Sequence, residues 1–122
     1  ERFEGAAYQT GSVMDLEGPF DLIFWLLPYI TPGAFDADRL PARFYGPAPL
    51  LDHVLSLLSE GGTLLIVNQG EMESRVQREL LASREVEVRD LGRLESLWSA
   101  SGPDRYALRC SVNRAGGVKR AR

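Results

Sequence analysis

The sequence holds one cysteine and one histidine, and it carries a net charge of only −3. Each scarcity removes a class of chemistry. The lone thiol, Cys110, excludes an internal disulfide framework and fits a reducing, cytoplasmic setting. One histidine, one cysteine and scattered carboxylates lack the spacing of a metal site. The acidic balance provides no basic field for nucleic acid, so such binding would need a local patch. The longest apolar run, Leu22 to Leu27, is too short to span a bilayer, and no signal peptide opens the chain. No Gly-x-Gly turn follows a strand in residues 1–20. The first residue is Glu1 and not methionine, so the expectation is a fragment or a processed chain.

What is present is the composition of an ordinary soluble globular unit. The 122 residues, 44% hydrophobic and 25% charged, suffice for one core. Phe20-Asp21-Leu22-Ile23-Phe24-Trp25-Leu26-Leu27 is an apolar run behind an Asp that stops at Pro28-Tyr29, which predicts a strand buried on both faces with a loop at its carboxyl end. Before it, Ala6, Tyr8 and Thr10 alternate and predict a weak strand ending at Gly11. After it, residues 28–49 hold five of the seven prolines, a long irregular loop.

Leu50, Leu51, Val54, Leu55, Leu57 and Leu58 recur at helical spacing and predict a helix over 50–59, with Pro49 at its start and Gly61-Gly62 as its stop. Thr63 to Val67 reads as a second buried strand ending in Asn68-Gln69-Gly70. Met72, Val76, Leu80 and Leu81 place an apolar stripe on a helix over 71–83. Alternation over 85–91 and 105–112 predicts two further strands, with Cys110 packed in the core. Strands alternating with helices imply parallel pairing and right-handed crossovers. The last two strands lack a clear helix between them and are expected to pair antiparallel. The domain is expected to end near residue 112, leaving a basic tail at 113–122.

Several of these segments resemble the C-terminal half of a class I (Rossmann-like) S-adenosylmethionine-dependent methyltransferase. Phe20-Asp21-Leu22-Ile23 leading to Pro28-Tyr29 is similar to that family's fourth strand and its Asn-Pro-Pro-Tyr loop. Gly11-Ser12-Val13-Met14-Asp15-Leu16 looks like the turn after the third strand, and Leu57-Leu58-Ser59-Glu60-Gly61-Gly62-Thr63-Leu64 resembles the entry to the fifth. Asp104-Arg105-Tyr106-Ala107-Leu108 resembles the final strand. The resemblance implies an α/β fold with a mostly parallel sheet, flanking helices and a C-terminal antiparallel pair, lacking its N-terminal cofactor-binding strands. It implies S-adenosylmethionine as cofactor and an acceptor that the sequence does not name. The expected partner is the missing N-terminal half of the protein or a second copy of the chain, with no membrane.

The departures from the family pattern bear on chemistry. Ser12 stands where an acidic residue accepts from the adenine amino group; it hydrogen-bonds without a charge. Leu26 and Leu27 replace the Asn and first Pro of the loop, and a leucine side chain accepts no hydrogen bond. Neither a glycine-rich turn nor a ribose-gripping carboxylate is present, so the isolated chain is expected to be inactive. Two explanations fit: the C-terminal half of a longer enzyme, favoured by the absent methionine, or a free-standing remnant that associates through an exposed sheet edge.

By this resemblance Ser12 and Val13 line part of the cofactor site, and Trp25, Pro28, Tyr29, Asn68 and Gln69 face the substrate. Each has a plainer reading. Trp25 reads first as an aromatic core residue, since Trp is usually largely buried, and Asp21 is expected to serve structure at the strand entrance. His53, among Asp52, Ser56 and Glu60, points to solvent. Arg39, Arg43 and Tyr45 in the long loop are candidates for an anionic substrate, with ordinary solvation the expected reading, while Leu94, Leu97 and Trp98 form a small apolar cluster that packs on the core or covers a partner.

Overall fold

The apolar runs of the sequence become a four-stranded sheet in a computed structural model that describes residues 5–7, 9–28, 46–95 and 104–113. The elements are β1 (Phe20–Leu26), α1 (Pro47–Leu57), β2 (Leu58–Gln69), α2 (Glu71–Ala82), β3 (Glu87–Arg93) and β4 (Arg105–Ser111). The sheet order is β1-β2-β4-β3. β1 and β2 pair parallel, β2 and β4 antiparallel, and β3 and β4 antiparallel. This is the α/β architecture with a C-terminal antiparallel pair that the alternation of patterns predicts. Of the three pairings among the described residues, one is parallel.

Register assigns the two faces. Ile23 and Trp25 of β1 align with Leu64 and Ile66 of β2, which align with Cys110 and Leu108 of β4. These residues join Leu51, Val54 and Leu55 of α1 and Leu81 of α2 in one apolar cluster, so both helices lie on the same face. On the opposite face one row runs Phe24, Leu65, Arg109, Arg89; beside it Leu22 aligns with Thr63, and Glu87 with Ser111.

That layering corrects the expectation of a strand buried on both faces. Leu22, Phe24 and Leu26 are 54%, 61% and 63% exposed, while Ile23 and Trp25 are half-buried under the helices. Apolarity in a run records what a strand tolerates; the connections decide which face receives a cover. Here β1-α1-β2 and the following α2 place both covers on one side.

Helix α1 begins at Pro47, three residues before the expected Leu50, because proline at the first helical positions gives up no intrahelical bond. The Leu50 amide makes the first such bond, to the Gly46 carbonyl at 3.1 Å. The helix does not stop at Gly61-Gly62. Leu58 turns to extended backbone (φ −82°, ψ 130°), and β2 starts there with no intervening loop. The two glycines lie inside β2, where Phe20 aligns with Leu58 but Leu22 already aligns with Thr63. Gly61 adopts φ +76°, and a Cβ on Gly62 would stand 3.0 Å from the Asp21 carbonyl oxygen. Ser59 Oγ in this excursion donates to Asp21 Oδ1 at 2.6 Å, the structural role expected for that aspartate.

No strand forms at the described residues before β1. Residues 5–7 and 9–12 are exposed and irregular, followed by a 3-10 turn at Val13–Asp15. Helix α2 matches its expected span, but its buried stripe is Ser74, Gln77 and Leu81, while Met72 is 65% exposed. Counting apolar residues alone shifts the helix face by about one position. The C-terminus of α2 is tied to α1 by Arg84, whose Nε and Nη2 donate to the two Asp52 carboxylate oxygens at 2.6 and 3.2 Å. The guanidinium holds the Asp52 carboxyl below its ordinary value. Burial pushes the Cys110 thiol up to about 12, as its place in the core requires.

Candidate functional site at the carboxyl ends of the parallel strands

Open α/β sheets present ligand sites beyond the carboxyl ends of their parallel strands. In this chain those ends are Leu26 of β1 and Gln69 of β2, held together by the register Leu26 to Val67. The chain leaves β1 in an unusual way. Leu27 takes φ +53°, the only positive φ of a non-glycine residue among those described, and its amide donates to the Val67 carbonyl at 2.7 Å. A left-handed leucine costs roughly 1–2 kcal/mol. Pro28 follows and is buried.

On the β2 side, Asn68 is fully buried on the helix-covered face, aligned with Tyr106 of β4, and Gln69 is exposed on the other. Gly70 (φ +84°) then turns the chain into α2, its amide donating to the Asp104 carbonyl at 2.6 Å. The first turn of α2 carries Glu71 and Glu73, which occupy the positive end of the helix dipole.

Beneath this end lies a polar layer that apolar counting overlooked. Asn68, Ser74 and Gln77 are buried, and both side-chain amide atoms of Asn68 and of Gln77 lack hydrogen-bond partners among the described residues. Gln77 sits one helical turn beyond Ser74, so polar residues at helical spacing were the available signal. Leu27 gave no sequence signal of its backbone conformation.

Trp25, Pro28, Asn68 and Gln69 are therefore brought to one end of the parallel pair by strand register. Ser12 and Val13 belong to the 3-10 turn. Ser12 Oγ accepts from the Met14 amide at 3.1 Å as its cap, and Val13 packs against the core cluster. A small pocket of about 190 Å³ runs along residues 9–16. Tyr29, Arg39, Arg43, Tyr45, Leu97, Trp98 and the tail beyond Asn113 lie outside the described residues. Leu94 is described and 42% exposed. His53 does not point freely to solvent: it is half-buried, with Nε2 shielded and without a partner.

What the six described residues at the two strand ends offer is positioning. None of Trp25, Leu26, Leu27, Pro28, Asn68 and Gln69 titrates near neutrality, and the described residues hold no group of carboxylates, histidine and cysteine able to bind a metal. No helix among the described residues is long and apolar enough to cross a membrane.

Set beside known proteins, the chain matches no family model and no curated protein. Among solved structures it is similar to wild-type Trm5b from Pyrococcus abyssi, at 20% sequence identity and a TM-score of 0.47. The similarity covers 82% of this chain and 27% of that one, so this chain spans well under half of the structure it resembles.

Proposed function

We propose that this chain is the acceptor-side half of an S-adenosylmethionine-dependent methyltransferase domain and is inactive alone. The observation that carries the reading is topological: a parallel β-α-β unit, a second helix, and an antiparallel pair completing the sheet. The motif resemblance at Gly11–Leu16, Phe20–Ile23, Leu57–Leu64 and Asp104–Leu108 runs along that same order of elements. Trp25 and Pro28 would wall the acceptor site, Asn68 and Gln69 would supply its polar contacts, and Ser12 and Val13 part of the adenine site.

On this reading the chain holds only part of the site for the methyl donor. The pocket at Ser12–Val13 holds about 190 Å³, against roughly 300–1,000 Å³ for sites that enclose small molecules. The chain's own share is to position the acceptor, which methyl transfer demands more than acid–base help.

Calorimetric titration of S-adenosylhomocysteine into the chain tests this. No measurable heat is expected from the 122 residues alone; micromolar binding would refute the assignment of the cofactor site to absent segments. A second reading, a non-catalytic association module, is favoured by one feature: among the described residues β1 is a terminal strand of the sheet, and no described strand pairs with its outer edge. A monodisperse monomer at high concentration would sink that reading.

A further inference from the structure

One charged side chain at the carboxyl end of the parallel strands is left without a counter-charge. Arg105 opens β4 and is aligned directly across from Gln69, the last residue of β2. Residues so opposed stand about 4.5–5.5 Å apart at Cβ. Alternation from Arg109 puts Arg105 and Gln69 on the face of the sheet away from the helices, next to the buried pair Val67 and Ala107. Arg105 is half-buried and its Nε is shielded from solvent, yet its side chain makes no hydrogen bond or ion pair among the described residues. Buried charge ordinarily comes paired. Gln69 is exposed, and its carboxamide offers two further N–H donors beside the guanidinium.

Carboxylates are close in the fold, but none serves Arg105. Asp104 pairs with Arg93 at 3.7 Å. Glu71 and Glu73 belong to the first turn of α2, which lies over the other face of the sheet. Glu95 follows β3 and is exposed. Together these carboxylates cancel any broad positive field, so a ligand has to engage the guanidinium by contact. A carboxylate or a phosphate does so with two parallel N–H···O bonds, and a halide offers no such pair of oxygens.

We propose that Arg105, with Gln69 beside it, binds the oxyanion group, a carboxylate or a phosphate, of the molecule that enters this end of the sheet. The identity of that molecule rests on the reading of this end as the acceptor side. On that reading the methyl acceptor is an acid or a phosphate ester, held by its charged end at Arg105.

The test follows the Arg105 Nε–H resonance by proton–nitrogen NMR while sodium phosphate or sodium acetate is titrated into the chain, with sodium chloride at equal ionic strength as the control. A saturable shift with phosphate or acetate and none with chloride is expected. The tighter of the two identifies the group as a phosphate or a carboxylate. Arg105→Lys keeps the charge without the fork and should bind about tenfold more weakly, the loss of one hydrogen bond to a charged group. Arg105→Met keeps an apolar stem and should lose the rise in melting temperature that the oxyanion gives the parent. In chloride it should melt no lower than the parent, since it gives up no partner. No shift with either oxyanion, an equal shift with chloride, or an undiminished rise in Arg105→Met overturns the proposal. So does a lower melting temperature of Arg105→Met in chloride, which would show the guanidinium paired within the chain. Titration with S-adenosylhomocysteine tests the half-site reading alone, so the two failures are told apart.

Discussion

Replacing Gln77 by methionine should make this protein more stable. The side chain is fully buried between α2 and the sheet, and its Nε2 and Oε1 have no hydrogen-bond partner. A buried polar group without a partner costs roughly 1–3 kcal/mol. Methionine keeps nearly the same length and flexibility and removes both polar atoms, so little repacking strain is expected. The expected gain is about 1–2 kcal/mol, which raises the melting temperature by roughly 4–8 °C in a chain of this size. In urea the midpoint should rise with an unchanged slope, because the surface exposed on unfolding is the same. Asn68→Leu should act in the same direction, and the double variant should equal the sum within about 0.5 kcal/mol. A loss of about 1 kcal/mol or more in Gln77→Met would refute the reasoning by showing that the amide is paired in solution. A large departure from additivity would show that the two amides pair with each other.

Two further outcomes follow from the core and the turn before β1. Cys110 should resist thiol reagents in the folded protein and react on unfolding. Its thiol titrates at about 12 when folded against 9.0 as the reference, so the unfolded chain releases that proton first. Stability should fall as pH climbs from 9 toward 12, and a smaller alkaline slope should remain in Cys110→Ala; an identical slope would contradict the burial. Gly18→Ala should destabilise by about 1–3 kcal/mol, because its Cβ would stand 2.5 Å from the Leu57 carbonyl oxygen, a backbone atom with little room to retreat. A neutral result in thermal melts would mean that the loop shifts freely.

Much of the fold was legible because period and run length are local properties. The apolar runs at 20–27 and 63–67 and the alternation at 105–112 fall on β1, β2 and β4, and α2 matches its stripe in extent. What escaped is set by neighbours distant in sequence. Gly61-Gly62 reads as a helix stop, yet the glycines serve a strand excursion whose need is visible only when Asp21 approaches. The exposure of Leu22, Phe24 and Leu26 depends on which side the crossovers run, and the same residues would be buried under a different connection. At the candidate site, the carboxyl-end placement of Trp25, Pro28, Asn68 and Gln69 follows from strand direction alone. The left-handed Leu27 and the unpartnered Gln77 come from tertiary packing that no single residue announces.

The direct passage from Leu57 in α1 to Leu58 in β2 has a mechanical consequence. A helix advances by a turn of about 100° per residue, whereas a strand flips its side chains to the other face with each one. A joint with no slack therefore couples the two periods: one residue gained or lost at the junction must rotate α1 off the sheet or invert β2. The excursion at residues 59–62 is the nearest stretch not bound to the β1 ladder, with Leu58 and Thr63 marking its ends. A change of length there is separated from Leu64 and Ile66 by the point where the ladder resumes at Thr63. Insertions in this part of the chain should be tolerated there and nowhere else between Pro47 and Gln69.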